Sequence, residues 1–125
     1  MFTIDRLHHW CIRTTVDTVR IIQLPVFSER VGRLLTDLEY WELQDALAER
    51  PDMGKLIPSG KGLRKLRWAI KSQGRGKRGG VRIIYYWLRD PKTIYFVSIY
   101  AKNKQEDLTS KQLKALADKV ERELK

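Results

Sequence analysis

Apolar and polar positions along this chain switch between a period of two and a period near 3.6, and the switches mark out its elements. Val19 to Leu24 is a β-branched run closed by Pro25, which predicts a first strand at or near a sheet edge. Phe27, Val31, Leu34, Leu35 and Leu38 follow at helical spacing. Thr36-Asp-Leu-Glu39 matches a capping box, and Leu38, Trp41, Leu43, Ala46 and Leu47 continue an apolar stripe to the stop at Arg50-Pro51. Two helices or one bent helix satisfy this pattern.

Pro51 to Gly62 has turn and loop chemistry and leads into a strand from Leu63 to Ile70. There a period of two puts Leu66, Trp68 and Ile70 on one face and Lys65 and Arg67 on the other. A loop from Lys71 to Gly80 with four glycines feeds Val81 to Leu88, and Asp90-Pro91-Lys92 turns the chain into Thr93 to Ala101. Both of these runs are apolar on both faces, as central strands are. Thr109-Ser-Lys-Gln112 is a second capping box, opening a helix with Leu113, Leu116, Ala117, Val120 and Leu124 on one stripe. Residues 1–18 have no clear period and are expected to form an appended arm of unreadable role, with one domain over residues 19–125. The order predicts an α+β domain: a mostly antiparallel four-stranded sheet, two N-terminal helices and a C-terminal helix.

Charge changes this picture. From Met53 to Arg89 there are eleven Lys or Arg residues and no Asp or Glu, while the remainder holds fourteen basic residues against fifteen acidic ones. The net charge of +10 therefore comes from one stretch, and a polyanion is its expected partner. With 125 residues and 42% hydrophobic content, the chain has room for one ordinary core. The single cysteine, Cys11, has no intramolecular partner for a disulfide and no His/Cys cluster around it, so a reducing cytoplasm without a structural metal or cofactor is the default. No apolar run approaches the length of a membrane span.

Cleaving RNA with its own 2′-hydroxyl needs a proton acceptor, cations for the phosphorane and a donor for the leaving 5′-oxygen. His8 and His9 are adjacent and point apart on any regular element, and the basic region has no carboxylate for Mg²⁺ chemistry. A nuclease here must use Lys, Arg and Tyr. An ammonium crowded by cations gives up its proton more readily, and guanidinium grips phosphate bidentately. Lys65 beside Arg67 is such a pairing, with Arg82 and Lys102 expected to converge on the same surface. Arg64, Lys71, Arg75, Lys77, Arg78 and Asn103 extend the candidate RNA contact. Tyr86 and Tyr100 are candidates for base stacking or proton transfer, whereas Trp68, Tyr85, Trp87 and Phe96 fit core positions. Composition alone supports a solvated basic face that binds RNA without cutting it as well as it supports catalysis. The glycine loop lacks the Gly-Lys-Ser/Thr ending of a nucleotide-phosphate cradle.

At Gly62-Leu-Arg-Lys-Leu-Arg, at Gly76-Lys-Arg-Gly-Gly-Val-Arg-Ile-Ile-Tyr-Tyr and at Ile99-Tyr-Ala-Lys-Asn-Lys-Gln-Glu-Asp-Leu108, the sequence resembles the RelE/ParE toxin superfamily, most of all its HigB-type branch. The resemblance covers about Val19 to Leu124. It implies a small bacterial toxin of a type II toxin-antitoxin pair that enters the ribosomal A site and cuts messenger RNA without metal, until a cognate helix-turn-helix antitoxin blocks it; outside that complex the toxin is expected to be monomeric. By position, Lys65 and Arg67 match the family's paired basic residues in proton transfer and phosphate binding, Arg82 its transition-state arginine, and Lys102 and Asn103 the basic position after the last strand. Where well-known members carry a tyrosine, this chain has Thr109. The ParE branch, which inhibits DNA gyrase, is similar in fold but generally lacks this basic set. On this reading Arg82→Ala is expected to stop cleavage and spare the fold.

Overall fold

In a computed structural model, residues 3–4, 12–16, 19–69, 80–101 and 108–124 are described, with side chains from Val19 onward. The elements are β1 (Thr3–Ile4), β2 (Ile12–Val16), β3 (Val19–Gln23), α1 (Pro25–Leu34), α2 (Asp37–Glu49), β4 (Lys55–Leu56), β5 (Leu63–Trp68), β6 (Val81–Arg89), β7 (Lys92–Ala101) and α3 (Ser110–Leu124). The fold is α+β.

One sheet runs in the order β1-β2-β3-β7-β6-β5-β4. Its body is the five longer strands, and the two-residue β1 and β4 sit at its edges. The expected four-stranded sheet is thus too small. Ile12–Val16 pairs antiparallel with Val19–Gln23, and Thr3–Ile4 pairs with Ile12–Val16, so strands form within the stretch that showed no period. For the same reason β3 is interior, not near an edge. It lies parallel to β7, from Arg20 opposite Thr93 to Gln23 opposite Phe96, while every other neighbouring pair is antiparallel. A parallel neighbour needs a long crossover, and α1 and α2 stand in that connection. They therefore follow three strands instead of opening the fold.

The helix boundaries are set locally. Pro25 occupies the first turn of α1, where its missing N–H costs nothing. Leu35 and Thr36 are extended, which separates α1 from α2. Thr36 Oγ1 accepts from the Glu39 N–H at 3.1 Å while Glu39 Oε1 accepts from the Thr36 N–H at 2.8 Å, so the predicted box closes. The second box closes alike, with the Thr109 N–H donating to Gln112 Oε1 at 2.9 Å and the Gln112 N–H to Thr109 Oγ1 at 3.1 Å. Thr109 is a helix cap.

Both sheet faces are covered. Under α1 and α2 lie Val19, Ile21, Leu66, Ile83, Tyr85, Ile94, Phe96 and Ile99, with Phe27 stacked on Phe96 at a ring separation of 4.7 Å. Under α3 lie Ile22, Leu63, Ile84, Tyr95, Val97 and Tyr100. Being covered on both sides, β7 is buried from Thr93 to Tyr100, as its unbroken apolar run predicted. Tyr85 and Phe96 are core, and Trp68 and Trp87 pack half-buried against it. The stripe expected on α2 is wrong in part: its buried face is Tyr40, Leu43, Gln44, Leu47 and Ala48, while Leu38 and Trp41 are 67% and 47% exposed. Apolar side chains occur around most of this helix, so spacing alone did not single out the face turned to the sheet.

Candidate nucleic-acid interface

Strand register brings the basic residues together. On β5 the burial alternates, with Leu66 and Trp68 turned toward α1 and α2, which leaves Leu63, Lys65 and Arg67 on the α3 side. Arg67 lies opposite Arg82 on β6, and Arg82 opposite Tyr100 on β7. One rung away, Lys65 lies opposite Ile84, and Ile84 opposite Ser98. A register shift between Ile84 and Tyr85 then resets the pairing, so the next rung on this face is Leu63, Tyr86 and Tyr95.

A cation that the sequence reading missed joins them. β4 pairs with β5 so that Lys55 stands directly opposite Lys65. Its only signal was its place in the acid-free stretch, because a two-residue strand inside turn chemistry has no period to read. The face thus holds two like-charge cross-strand pairs, Lys55/Lys65 and Arg67/Arg82. Such pairs oppose sheet pairing. A multivalent anion laid across them offsets that repulsion and adds charge-assisted hydrogen bonds.

Exposure grades these side chains. Arg67 is exposed and Lys65 half-buried, whereas Arg82 is only 6% exposed, its Nη1 lying 3.5 Å from the Val81 carbonyl oxygen. Truncating Arg82 to alanine would open a void, so the expectation that this change spares the fold does not hold for a side chain so enclosed; Arg82→Lys keeps the stem. Tyr100 is 4% exposed, too enclosed for a stacking platform. It lines a cavity of about 240 Å³ with Lys65, Ile84, Ile57, Pro58, Leu108 and Leu113, at the border between the cationic rungs and the start of α3. Tyr86 is half-buried and meets Tyr95 edge-on at 6.3 Å. Gly62, at φ +97°, passes so close to the Tyr86 ring that a β-carbon would lie 2.7 Å from Cε2. Glycine there lets the ring lie flat beside Leu63.

Arg64 does not join this group. The alternation turns it to the opposite face, where Nη1 donates to the Gly54 carbonyl at 2.7 Å and the guanidinium lies 5.8 Å from the Trp87 ring centroid, with Arg89 at 4.9 Å from the same ring. It fastens the turn before β4 and is not positioned for RNA on the Lys65 face. Tyr85 holds the same turn: its hydroxyl donates to the Pro51 carbonyl at 2.6 Å and accepts from the Gly54 N–H at 2.8 Å. Burial pushes the Tyr85 hydroxyl pKa above its ordinary value, the nearby Gly54 N–H and Arg64 charge opposing that rise. Lys71, Arg75, Lys77, Arg78, Lys102 and Asn103 lie outside the described residues.

Among the described residues no three His, Cys, Asp or Glu side chains are grouped to hold a metal ion, and no helix is long and apolar enough to cross a membrane. A scan of the sequence against models of known protein families finds no match.

Proposed function

We propose that this chain is a ribosome-dependent endoribonuclease, the toxin of a type II toxin-antitoxin pair, acting in the cytoplasm on messenger RNA in the A site. The observation that carries the reading is the adjacency of Arg67 and Arg82 on one rung with Lys65 and Lys55 on the next, all on one sheet face. Four cations at strand spacing match the repeat of a nucleic-acid backbone better than a single small anion.

In the proposed step Lys65 in its neutral form takes the proton of a 2′-hydroxyl as its oxygen attacks the adjacent phosphorus. Arg67 and Arg82 hold the two non-bridging oxygens, whose negative charge grows in the phosphorane. The phosphorus–O5′ bond then breaks, leaving a 2′,3′-cyclic phosphate, and the 5′-oxygen takes a proton from a cationic donor, the role the family resemblance gives Lys102. No metal or cofactor enters the scheme. The antitoxin would act by covering or distorting this face, most directly with an acidic segment.

Primer extension on messenger RNA in a reconstituted translation reaction tests this, comparing the wild type with Lys65→Ala and Arg82→Lys, with and without ribosomes. The expected result is cuts that need translating ribosomes and fall by about 10²-fold or more in each folded variant, the usual loss on removing one electrostatic contact to a transition state. Salt-sensitive RNA binding with no cutting under any condition would replace the nuclease with an RNA-binding protein. Inhibition of DNA gyrase instead would assign the chain to ParE-like action.

A further inference from the structure

The helix on the other side of the sheet has the opposite charge. α2 carries Asp37, Glu39, Glu42, Asp45 and Glu49 and no Lys, Arg or His, in a protein whose net charge is +10. Its outward surface also bears two apolar side chains that the fold leaves uncovered, Leu38 and Trp41, one turn apart. Isolated exposed apolar residues need no explanation, but these two flank a groove. Between α2 and the end of β5 is a cavity of about 270 Å³ lined by Glu39, Glu42, Trp68 and Ala69. Two carboxylates one turn apart facing an indole make a slot for a cationic side chain, because the carboxylates neutralise its charge and the ring accepts it through a cation–π contact.

The geometry points to this groove as a docking site for a basic, amphipathic segment of a protein partner, with an arginine seated between Glu39, Glu42 and Trp68 and an apolar side chain resting on Leu38 and Trp41. Charge decides the class of occupant. A nucleic acid is repelled by five carboxylates on one helix, whereas a segment with arginines on one face and leucines beside them satisfies both halves of the surface. A second copy of this chain is the weaker fit, since its cations lie on the opposite sheet face and head-to-tail contact would grow without closing. The site is independent of the nuclease reading: it lies across the sheet from Lys65 and Arg67.

The test uses the full chain and a fluorescein-labelled amphipathic peptide with leucines at i, i+3 and i+7 and arginines between them, beside a counterpart with every arginine replaced by glutamate. Fluorescence anisotropy at low salt should show saturable binding of the arginine peptide only. Glu42→Gln and Trp68→Leu should each weaken it about tenfold, with Glu39→Gln, which keeps the capping box, acting likewise; Glu49→Gln, outside the groove, and Arg67→Ala, on the other face, should leave it unchanged. Absence of saturable binding, or equal binding by folded Glu42→Gln and Trp68→Leu proteins, overturns the proposal. So does peptide binding that appears only after Lys71, Arg75, Lys77 and Arg78 are all neutralised, which would make the chain's own basic loop the occupant. Concentration-dependent growth of the protein alone in sedimentation, abolished by Glu42→Gln, would assign the groove to self-association instead.

Discussion

Removing a single oxygen at Tyr85 measures how firmly the turn carrying β4 is tied to the sheet. The ring is fully buried, and its hydroxyl serves two backbone groups of that turn, donating to the Pro51 carbonyl at 2.6 Å and accepting from the Gly54 N–H at 2.8 Å. In Tyr85→Phe the phenyl ring fills the same space, so no cavity term arises. Pro51 and Gly54 are themselves buried, so water does not take over either bond. A buried backbone group left unsatisfied costs about 1–3 kcal/mol, which makes the pair worth about 2–4 kcal/mol. For a domain of this size that corresponds to a fall of roughly 10 °C in Tm. Urea unfolding followed by tryptophan fluorescence should show a lower midpoint at unchanged slope, and hydrogen exchange at the Gly54 amide should quicken. A midpoint within about 0.5 kcal/mol of wild type, inside the range of inconsequential surface changes, would refute the reasoning and mean that Arg64 holds the turn alone.

Alkaline pH tests the same hydroxyl together with that of Tyr40, whose pKa burial also raises while the hydrogen bond from Gln23 at 2.6 Å opposes it. Because both folded values lie above the unfolded value of about 10, both tyrosines add stability that is complete below that pH and drains away above it, by up to about 1.4 kcal/mol per pH unit for each; Tyr40→Phe/Tyr85→Phe should flatten the decline, and an unchanged slope would exclude these groups. Two glycines should respond oppositely to alanine. At Gly80 a β-carbon would lie 2.5 Å from the Trp68 carbonyl oxygen, a backbone atom that cannot step aside, so Gly80→Ala should cost about 1–3 kcal/mol or more, while Gly32 within α1 has nothing within 4 Å of that position and Gly32→Ala should gain about 0.5–1 kcal/mol; calorimetry showing the same sign for both would refute the packing at Gly80. Lys55→Ala should stabilise the free protein by roughly 0.2–1 kcal/mol through relief of its repulsion with Lys65 while weakening RNA binding at low salt, and a variant that loses stability would mean the two ammonium groups do not oppose one another.

The features that could be read from the chain were those decided by neighbours in sequence. Both capping boxes depend on a threonine and a residue three positions later, and both closed as expected. The alternation along β5, which separates Lys65 and Arg67 from Leu66 and Trp68, is a consequence of the pleat and needs no partner strand. That alternation also implied that Arg64 turns away from Lys65, although its charge argued for grouping them. The buried tyrosines, the helix pair and the meander of β5, β6 and β7 followed from apolar spacing in the same way.

What depends on contacts between distant segments was settled only by the tertiary structure. Which apolar residues of α2 turn inward depends on where the sheet lies, so Tyr40 went in and Leu38 and Trp41 stayed out. The interior position of β3 depends on pairing with Ile12–Val16 and, in parallel, with β7, and neither partnership leaves a mark in the composition of β3 itself. The sequence alone determined that the charge is concentrated in one stretch and that its cations and apolar residues alternate. Register across β4, β5, β6 and β7 decided that Lys55, Lys65, Arg67 and Arg82 share one surface, because backbone hydrogen bonding between strands far apart in sequence sets which side chains stand next to one another.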